Sequence, residues 1–187
     1  MTDDISDILA GLQQDHRNMA LLLTHLDKAA ERIHDGKDDN FELVDDIMLY
    51  MTLYPDTVHH PNENLLYAEL RAVRPDLSSG MARVGTDHRS IEHDGIAIRD
   101  MVGSILSGDI VRRNAVVSAT HRYAENLRKH MKWEEQDLFL RIRRMVEDGH
   151  RTVESAQILH KKDPLFTDTR EAWFDELYQR LMSDLAA

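Results

Sequence analysis

Apolar residues recur at intervals of three and four along most of the chain, and this spacing is typical of amphipathic α-helices. It predicts one helix over about residues 5–33, a second over 41–73 and a fourth over about 111–147. The third helix is expected to begin at a cap on Ser78 or Ser79 and to run to about residue 105. Polar or glycine-containing segments separate these helices, and we find no alternation that predicts a strand.

Each predicted helix of roughly 30 residues would be about 45 Å long, and the connections between helices are short. Such helices pack as antiparallel neighbours, so the prediction is an all-α, up-down-up-down four-helix bundle. Pro55 and Pro61 interrupt the second helix, and we expect a kink or an irregular turn between Tyr54 and Pro61. We assign residues 1–149 to the bundle and residues 150–187 to a C-terminal helical extension that packs on the bundle or on a second copy of the chain.

The composition narrows the classes of function. The chain has 187 residues, of which 42% are hydrophobic, and this suits a single globular domain. Its formal charge of -11 argues against binding nucleic acid or an anionic membrane, and the absence of cysteine excludes disulfides, thiolate zinc sites and iron–sulfur clusters. No apolar stretch approaches the roughly 20 residues of a membrane span, and no export signal is recognisable at Met1, so we expect a cytoplasmic protein. The chain also contains 11 histidines.

The two predicted helical hairpins carry the same pattern of polar residues. The string Asp15-His16-Arg17 is followed by His59-His60-Pro61-Asn62-Glu63, and Asp87-His88-Arg89 is followed at a nearly equal distance by His130-Met131-Lys132-Trp133-Glu134. Each hairpin therefore carries a histidine and then a His-x-x-x-Glu pair. Helical spacing places these residues on the apolar faces, as with His16 between Leu12 and Met19.

Buried imidazoles and carboxylates need partners, because an unpaired buried polar group costs about 1–3 kcal/mol and an isolated charge costs far more. A histidine and the glutamate one turn later lie about 6 Å apart along a helix, so both can approach one metal ion. Glutamates from two facing helices can bridge two ions about 3.5–4 Å apart. Imidazole nitrogens with carboxylate oxygens suit iron, with manganese or zinc as alternatives.

The ordered set His16, His59-x-x-x-Glu63, His88 and His130-x-x-x-Glu134 resembles the hemerythrin-like HHE cation-binding family, and the likeness extends from Gln14 to about Arg144. The resemblance implies two non-heme iron ions with a bridging oxo or hydroxo group. It further implies that Glu63 and Glu134 bridge the irons, that His16 and His59 bind one iron, and that His88 and His130 bind the other. The implied partner is a small ligand, namely oxygen, peroxide or nitric oxide.

Two positions depart from the oxygen-carrying members of that family. Those proteins have a further histidine one turn after the third-helix histidine, where this chain has Glu92. In some relatives the residue after the second-helix histidine is also a ligand, and here that residue is His60. We include His60 among the candidate metal ligands and keep Glu92 as an alternative. A carboxylate or an open position at Glu92 favours oxidised iron and turnover over reversible oxygen carriage.

Other polar residues receive weaker assignments. His25 and His121 lie nine residues from His16 and His130, respectively, and nine residues turn a helix by about 180°, so both are expected to face solvent. Asp15 and Asp87 are expected either to orient groups around the metals or to be exposed. Tyr123 is interpreted as a core residue, with a hydrogen bond to a bound oxygen species as the alternative.

The leading functional hypothesis is a non-heme di-iron protein that binds or reacts with oxygen, peroxide or nitric oxide, including catalase-like handling of peroxide. The alternative is an iron or oxygen sensing or storage module without turnover, in which the C-terminal helix transmits a change to a partner. A phosphotransfer bundle is disfavoured because it needs one exposed histidine without carboxylates. A purely structural bundle is disfavoured because hydrophobic residues would fill these positions better.

Overall fold

The computed structural model describes residues 2–37, 40–154 and 158–185. The main helices are α1 (Ile5–His34), α2 (Phe41–Tyr54), α3 (His60–Val73), α4 (Val84–Leu106), α5 (Arg113–Trp133), α6 (Phe139–Glu147) and α7 (Ala172–Leu185). A π-helical turn over Pro55–His59 joins α2 to α3, and a second over Glu134–Leu138 joins α5 to α6. Short 3-10 turns cover Pro75–Leu77 and Met81–Arg83.

These helices form the predicted four-helix bundle. The continuous rods α2–α3 and α5–α6 each act as one long helix with an irregular turn in its middle. Helix α1 packs against α2 and α5, and α4 packs against the same two helices, so consecutive rods are neighbours in space. This arrangement is the up-down-up-down order expected for long helices with short connections. The all-α class and the additional C-terminal helix are confirmed.

Local sequence determines where the helices begin and end. Asp4 caps α1 by accepting a hydrogen bond from the Ser6 backbone N–H at 2.7 Å. Gly108 and Gly149 follow α4 and α6 with φ of 93° and 104°, a conformation that stops a helix and that other residues rarely adopt. The prediction that Ser78 or Ser79 caps α4 is wrong, because residues 75–83 form two short turns and the Ser78 hydroxyl donates to the Pro75 carbonyl instead.

The irregular backbone predicted between Tyr54 and Pro61 is confirmed as the first π-helical turn, in which the His60 N–H bonds to the Pro55 carbonyl. The second π-helical turn, closed by the Phe139 N–H on the Glu134 carbonyl, has no proline and was not expected. A π turn inserts an extra residue and rotates the following part of the helix, and such turns are frequent at functional sites. Here both turns lie beside the His-x-x-x-Glu pairs.

The expectation that the chain has no strand is wrong. Strands β1 (Thr2–Asp4) and β2 (Thr152–Glu154) pair antiparallel, with Asp3 opposite Val153. Each strand has three residues, which is too short for a period-two pattern to stand out in a sequence. The ribbon fastens the N-terminus to the chain that leaves α6, and the Ile5 N–H adds a bond to the Arg151 carbonyl.

The hydrophobic core is divided into two clusters by a polar layer. On α1, Leu12 belongs to one cluster and Met19 to the other, and His16 lies between them. The same division occurs on α4, where His88 lies between Val84 and Ile91. All four rods therefore interrupt their apolar faces at the same level, and the apolar clusters on either side keep water away from that layer.

The C-terminal extension packs on the bundle. Phe174, Leu177 and Leu181 of α7 enter the larger apolar cluster. Arg180 of α7 donates to Asp46 at 3.1 Å, a contact that fixes this helix against α2. The described part of the extension thus adds a fifth helix beside the four rods.

The sequence spacing predicts the wrong helix face for one histidine. His25 was expected to face solvent but is only 1% exposed. It belongs to a second buried stripe on α1, which begins at Asn18, and the Asn18 amide donates to Asp163 of the extension at 3.0 Å. In a four-helix bundle without such an extension, nothing would pack on this face of α1. His121 is half-exposed as expected and contacts Asp27 at 3.1 Å.

Candidate metal centre

The polar layer brings together the six residues of the repeated pattern. The side chains of Glu63 and Glu134 are fully buried. The four histidines, one from each rod, are between 1% and 6% exposed. The members of this set are His16, His59, Glu63, His88, His130 and Glu134.

Glu63 lies in the middle of three histidines. Its Oε1 is 3.4 Å from His16 Nε2 and 3.3 Å from His59 Nε2, and its Oε2 is 3.4 Å from His88 Nε2. One carboxylate therefore reaches histidines from both hairpins.

Glu134 has an equivalent position on the other hairpin. Its Oε2 is 3.3 Å from His130 Nε2 and 3.6 Å from His16 Nε2, and its Oε1 is 3.7 Å from His88 Nε2. Its Oε1 also accepts a hydrogen bond from the Tyr67 hydroxyl at 2.9 Å. Tyr67 was not singled out in the sequence, although it lies one turn after Glu63 on the same helix face.

These residues divide into two groups of metal-ligating type. In each group every residue offers one ligand atom, and all of these atoms lie within 4.8 Å of one another. One group is His16, His59 and Glu63, and the other is Glu63, His88, His130 and Glu134. Glu63 is the member common to both.

The buried polar atoms test whether metal ions fit here. Within residues 2–37, 40–154 and 158–185, the atoms that lack a hydrogen-bond partner include Nε2 of all four histidines, both oxygens of Glu63 and Oε2 of Glu134. Each such atom would cost about 1–3 kcal/mol if it stayed unsatisfied. All of them point into one small volume, and nitrogen and oxygen donors of this kind are the donors that iron accepts. The residues therefore fit a metal centre.

A second set of carboxylates contacts the outer nitrogens of the histidines. His59 Nδ1 lies 3.0 Å from Asp15 Oδ2, and His16 Nδ1 lies 3.0 Å from Glu135 Oε1. A carboxylate that accepts the Nδ1 proton leaves the Nε2 lone pair directed at the centre and makes it a better ligand. Asp15 is itself contacted by the Tyr54 hydroxyl at 3.4 Å. The sequence pointed to Asp15 for this role but missed Glu135, which follows Glu134 within the unexpected π turn.

Two further histidine–carboxylate contacts are either longer or involve a histidine outside the six-residue set. Asp87, expected to act in the same way as Asp15, is 3.9 Å from His130 Nδ1, beyond hydrogen-bond distance. Asp56, which the sequence did not indicate, lies 3.1 Å from His60 Nδ1.

Without metal, the centre holds protons in place of cations. Burial lowers the pKa of His59, but the carboxylates of Glu63 and Asp15 outweigh it and raise the pKa to about 10. Burial also lowers the pKa of His88, and Glu134 and Glu63 outweigh it and raise the pKa to about 9. Conversely, burial raises the pKa of Glu63, but the neighbouring histidines hold it well below its usual range. Metal ions must therefore displace protons.

His60 and Glu92 lie outside the two groups. His60 is 4% exposed, its Nε2 is buried without a hydrogen-bond partner, and its ring stacks on His88 with centroids 4.2 Å apart. Burial, followed by the charges of His88 and His59, lowers the pKa of His60 well below the usual value. Glu92 is exposed and faces a cavity beside His60. Tyr123 is 2% exposed and belongs to the larger apolar cluster, in agreement with its interpretation as a core residue.

The fold and the site define a helical bundle with a buried carboxylate–imidazole cluster of metal-binding type. The family model described as Hemerythrin HHE cation binding domain matches residues 7–139. The chain belongs to this family, and it is a metal-binding module of hemerythrin type. No curated protein and no solved structure matches the chain. Within the described residues, no helix has the length and apolar character needed to cross a membrane.

Proposed function

We propose that the chain holds two iron ions in the polar layer between its two apolar clusters. His16 and His59 would hold one ion, and His88 and His130 the other. Glu63 and Glu134 would hold both. The observation that carries this proposal is the position of Glu63, whose two oxygens face histidines of opposite hairpins at 3.3–3.4 Å.

When bound, the two irons supply redox chemistry toward oxygen, peroxide or nitric oxide, and this is the activity we propose. The residues of the chain keep the pair in place and orient the imidazoles. Asp15 and Glu135 hold the Nδ1 protons of His59 and His16, so that each ring presents Nε2 to the centre. The surrounding apolar side chains exclude water, which strengthens the electrostatic interactions inside the layer.

Turnover is favoured over reversible carriage by the residues beside His88. The resemblance places Glu92 where oxygen carriers have another histidine, and in this chain Glu92 faces a cavity rather than either group. One neutral imidazole is therefore absent from that side. We keep His60 as a candidate ligand on the same side, because its Nε2 is buried and has no hydrogen-bond partner.

A sensing module is the second candidate, and one contact favours it. Asn62, the residue before Glu63, exchanges two hydrogen bonds with the backbone of Leu159 in the C-terminal extension, at 3.1 and 2.8 Å. A change at Glu63 would thereby reach the extension and α7. If the extension transmits such a change, its hydrogen exchange differs between the iron-loaded and metal-free protein.

The test of the leading proposal starts from protein reconstituted anaerobically with ferrous salt. We expect a new visible absorption on exposure to oxygen or peroxide, and gas evolution with peroxide if the activity is catalase-like. Glu63→Gln should abolish both responses, and His93→Ala, on a side chain 83% exposed, should leave them unchanged. An iron-loaded protein that is inert to both oxidants would refute the proposal.

A further inference from the structure

A cavity of about 410 Å³ opens between α3 and the start of α4, beside the His88 end of the metal centre. Small-molecule binding pockets have volumes of about 300–1,000 Å³. Oxygen, peroxide and nitric oxide need far less room, since one water in the liquid occupies about 30 Å³. The size of this cavity suits an organic molecule.

The two hairpins differ in how they cover their histidines, and this difference leaves the cavity open. On one side, His16 contacts Glu135 through Nδ1 and stacks on Phe139 at 5.4 Å. Asn64 follows Glu63 as Glu135 follows Glu134, but Asn64 is exposed and lines the cavity. His88 Nδ1 consequently has no hydrogen-bond partner among the residues that the structure describes.

The inner wall of the cavity contains two buried imidazole rings. His60 and His88 both line it, and each is more than nine-tenths buried. His60 Nε2 and His88 Nδ1 lack hydrogen-bond partners. The rings of His60 and His88 thus form the inner wall of the cavity, directly beside the proposed metal centre.

Two arginines also line the cavity. Arg71 and Arg89 are exposed and line the cavity, and neither has a carboxylate within ion-pair distance in the part of the chain that the structure describes. Arg89 donates to the Thr86 hydroxyl at 3.1 Å. Arginines elsewhere have varied partners: Arg74 and Arg141 pair with aspartates, whereas Arg17 and Arg143 donate to glutamine side chains. Two guanidinium groups without such partners at one cavity favour an anionic ligand.

We propose that this cavity binds a small organic carboxylate, held at its carboxylate by Arg71 and Arg89 and directed with its other end toward His60 and His88. Met81 supplies a buried apolar contact for the organic part. Because the acidic side chains of Asp56 and Glu92 also line the cavity, a second carboxylate on the ligand is disfavoured and we infer a monoanion. The inference deepens the proposed function by naming a class of co-substrate, and it rests on that function only for the presence of metals beside His88.

The test uses radiolabelled benzoate, a monocarboxylate of suitable size, and equilibrium dialysis against the full-length protein as purified. We expect one molecule bound per chain with a dissociation constant of about 1 mM or tighter. Benzamide has nearly the same shape without the charge and should bind at least about tenfold more weakly. This pair of ligands tests the inference without any change to the protein.

Variants then locate the bound carboxylate. Arg71→Gln and Arg89→Gln should each weaken benzoate binding about tenfold, since each removes one charge-assisted contact. Arg122→Gln is the control, because Arg122 is exposed on α5 and does not line the cavity. Equal binding of benzoate and benzamide, or unchanged affinity in both cavity variants, would overturn the inference.

Metal content measured on the same samples separates the two proposals. Benzoate binding that depends on the arginines in a sample without stoichiometric metal would support the cavity and count against the metal centre. Metal-loaded protein that fails to bind benzoate would overturn the cavity alone.

Discussion

Removal of metal should make the protein much less stable to heat, and the number of metal sites sets the size of the effect. The metal-free layer contains buried atoms without hydrogen-bond partners on all four histidines and on both glutamates. Protons on His59 and His88 satisfy part of this set without metal, and each atom that stays unsatisfied costs about 1–3 kcal/mol. The whole free energy of unfolding of a domain is only about 5–15 kcal/mol. The metal-free protein should therefore be marginally stable.

Metal binding adds a free energy that depends on saturation. At a free metal concentration of 100 times the dissociation constant, one site stabilises the folded state by about 2.7 kcal/mol. Two such sites contribute about 5 kcal/mol. For a chain of this length, 1 kcal/mol corresponds to about 2–4 °C in melting temperature. The expected rise on loading is therefore about 10–20 °C.

The assay is thermal unfolding followed by circular dichroism under anaerobic conditions, with ferrous salt or with EDTA. Glu63→Gln removes the residue shared by both groups and should lose most of the shift. Glu69→Gln is the matched control on the same helix, because Glu69 contacts His150 at 2.6 Å and lies outside both groups. The reasoning is refuted if ferrous salt leaves the wild-type melting temperature unchanged, or if Glu63→Gln keeps the full shift.

Three further predictions concern the surroundings of the centre. Asp15→Ala removes the acceptor for His59 Nδ1 and should lower metal affinity about 10–100-fold in competition with a chelator; unchanged affinity would contradict this role. Without metal, His59 and His88 have pKa values of about 10 and 9, so metal loading at pH 7 should release about two protons. Metal affinity should therefore fall as the pH is lowered. Calorimetry in buffers of different ionisation enthalpy measures the proton release, and a heat independent of buffer would disprove it. Asn62→Ala leaves the Leu159 backbone groups unpaired and should reduce the free energy of unfolding by about 1–3 kcal/mol in denaturant titrations. An unchanged unfolding midpoint would show that this contact does not stabilise the extension.

The polar layer could be predicted from the sequence because helical spacing fixes both the position of a residue along the helix axis and the helix face on which it lies. His16 and His88 each stand between apolar residues three and four positions away, and the structure places both at the boundary between the two apolar clusters. Likewise, the step from His59 to Glu63 covers one turn and keeps both on one face. Spacing within a single helix was sufficient for these residues.

Contacts that depend on a neighbouring element could not be predicted in this way. Glu135 reaches His16 from the start of a π turn, and no proline or other local feature marks that turn. His25 is buried because α1 has a second packed face, where the extension contacts Asn18. The β1–β2 pair joins segments that are far apart in the sequence, and three-residue strands carry no visible pattern. In each case the deciding interaction is remote in sequence.

The most direct test of the two-metal centre is the number of metal ions bound per chain. Elemental analysis of full-length protein, reconstituted anaerobically with ferrous salt and freed of excess metal, should find about two irons per wild-type chain. His16→Ala weakens only the group formed with His59 and Glu63, and it should retain about one iron. Wild-type protein without stoichiometric iron, or a Glu63→Gln variant that still binds two, would contradict the account.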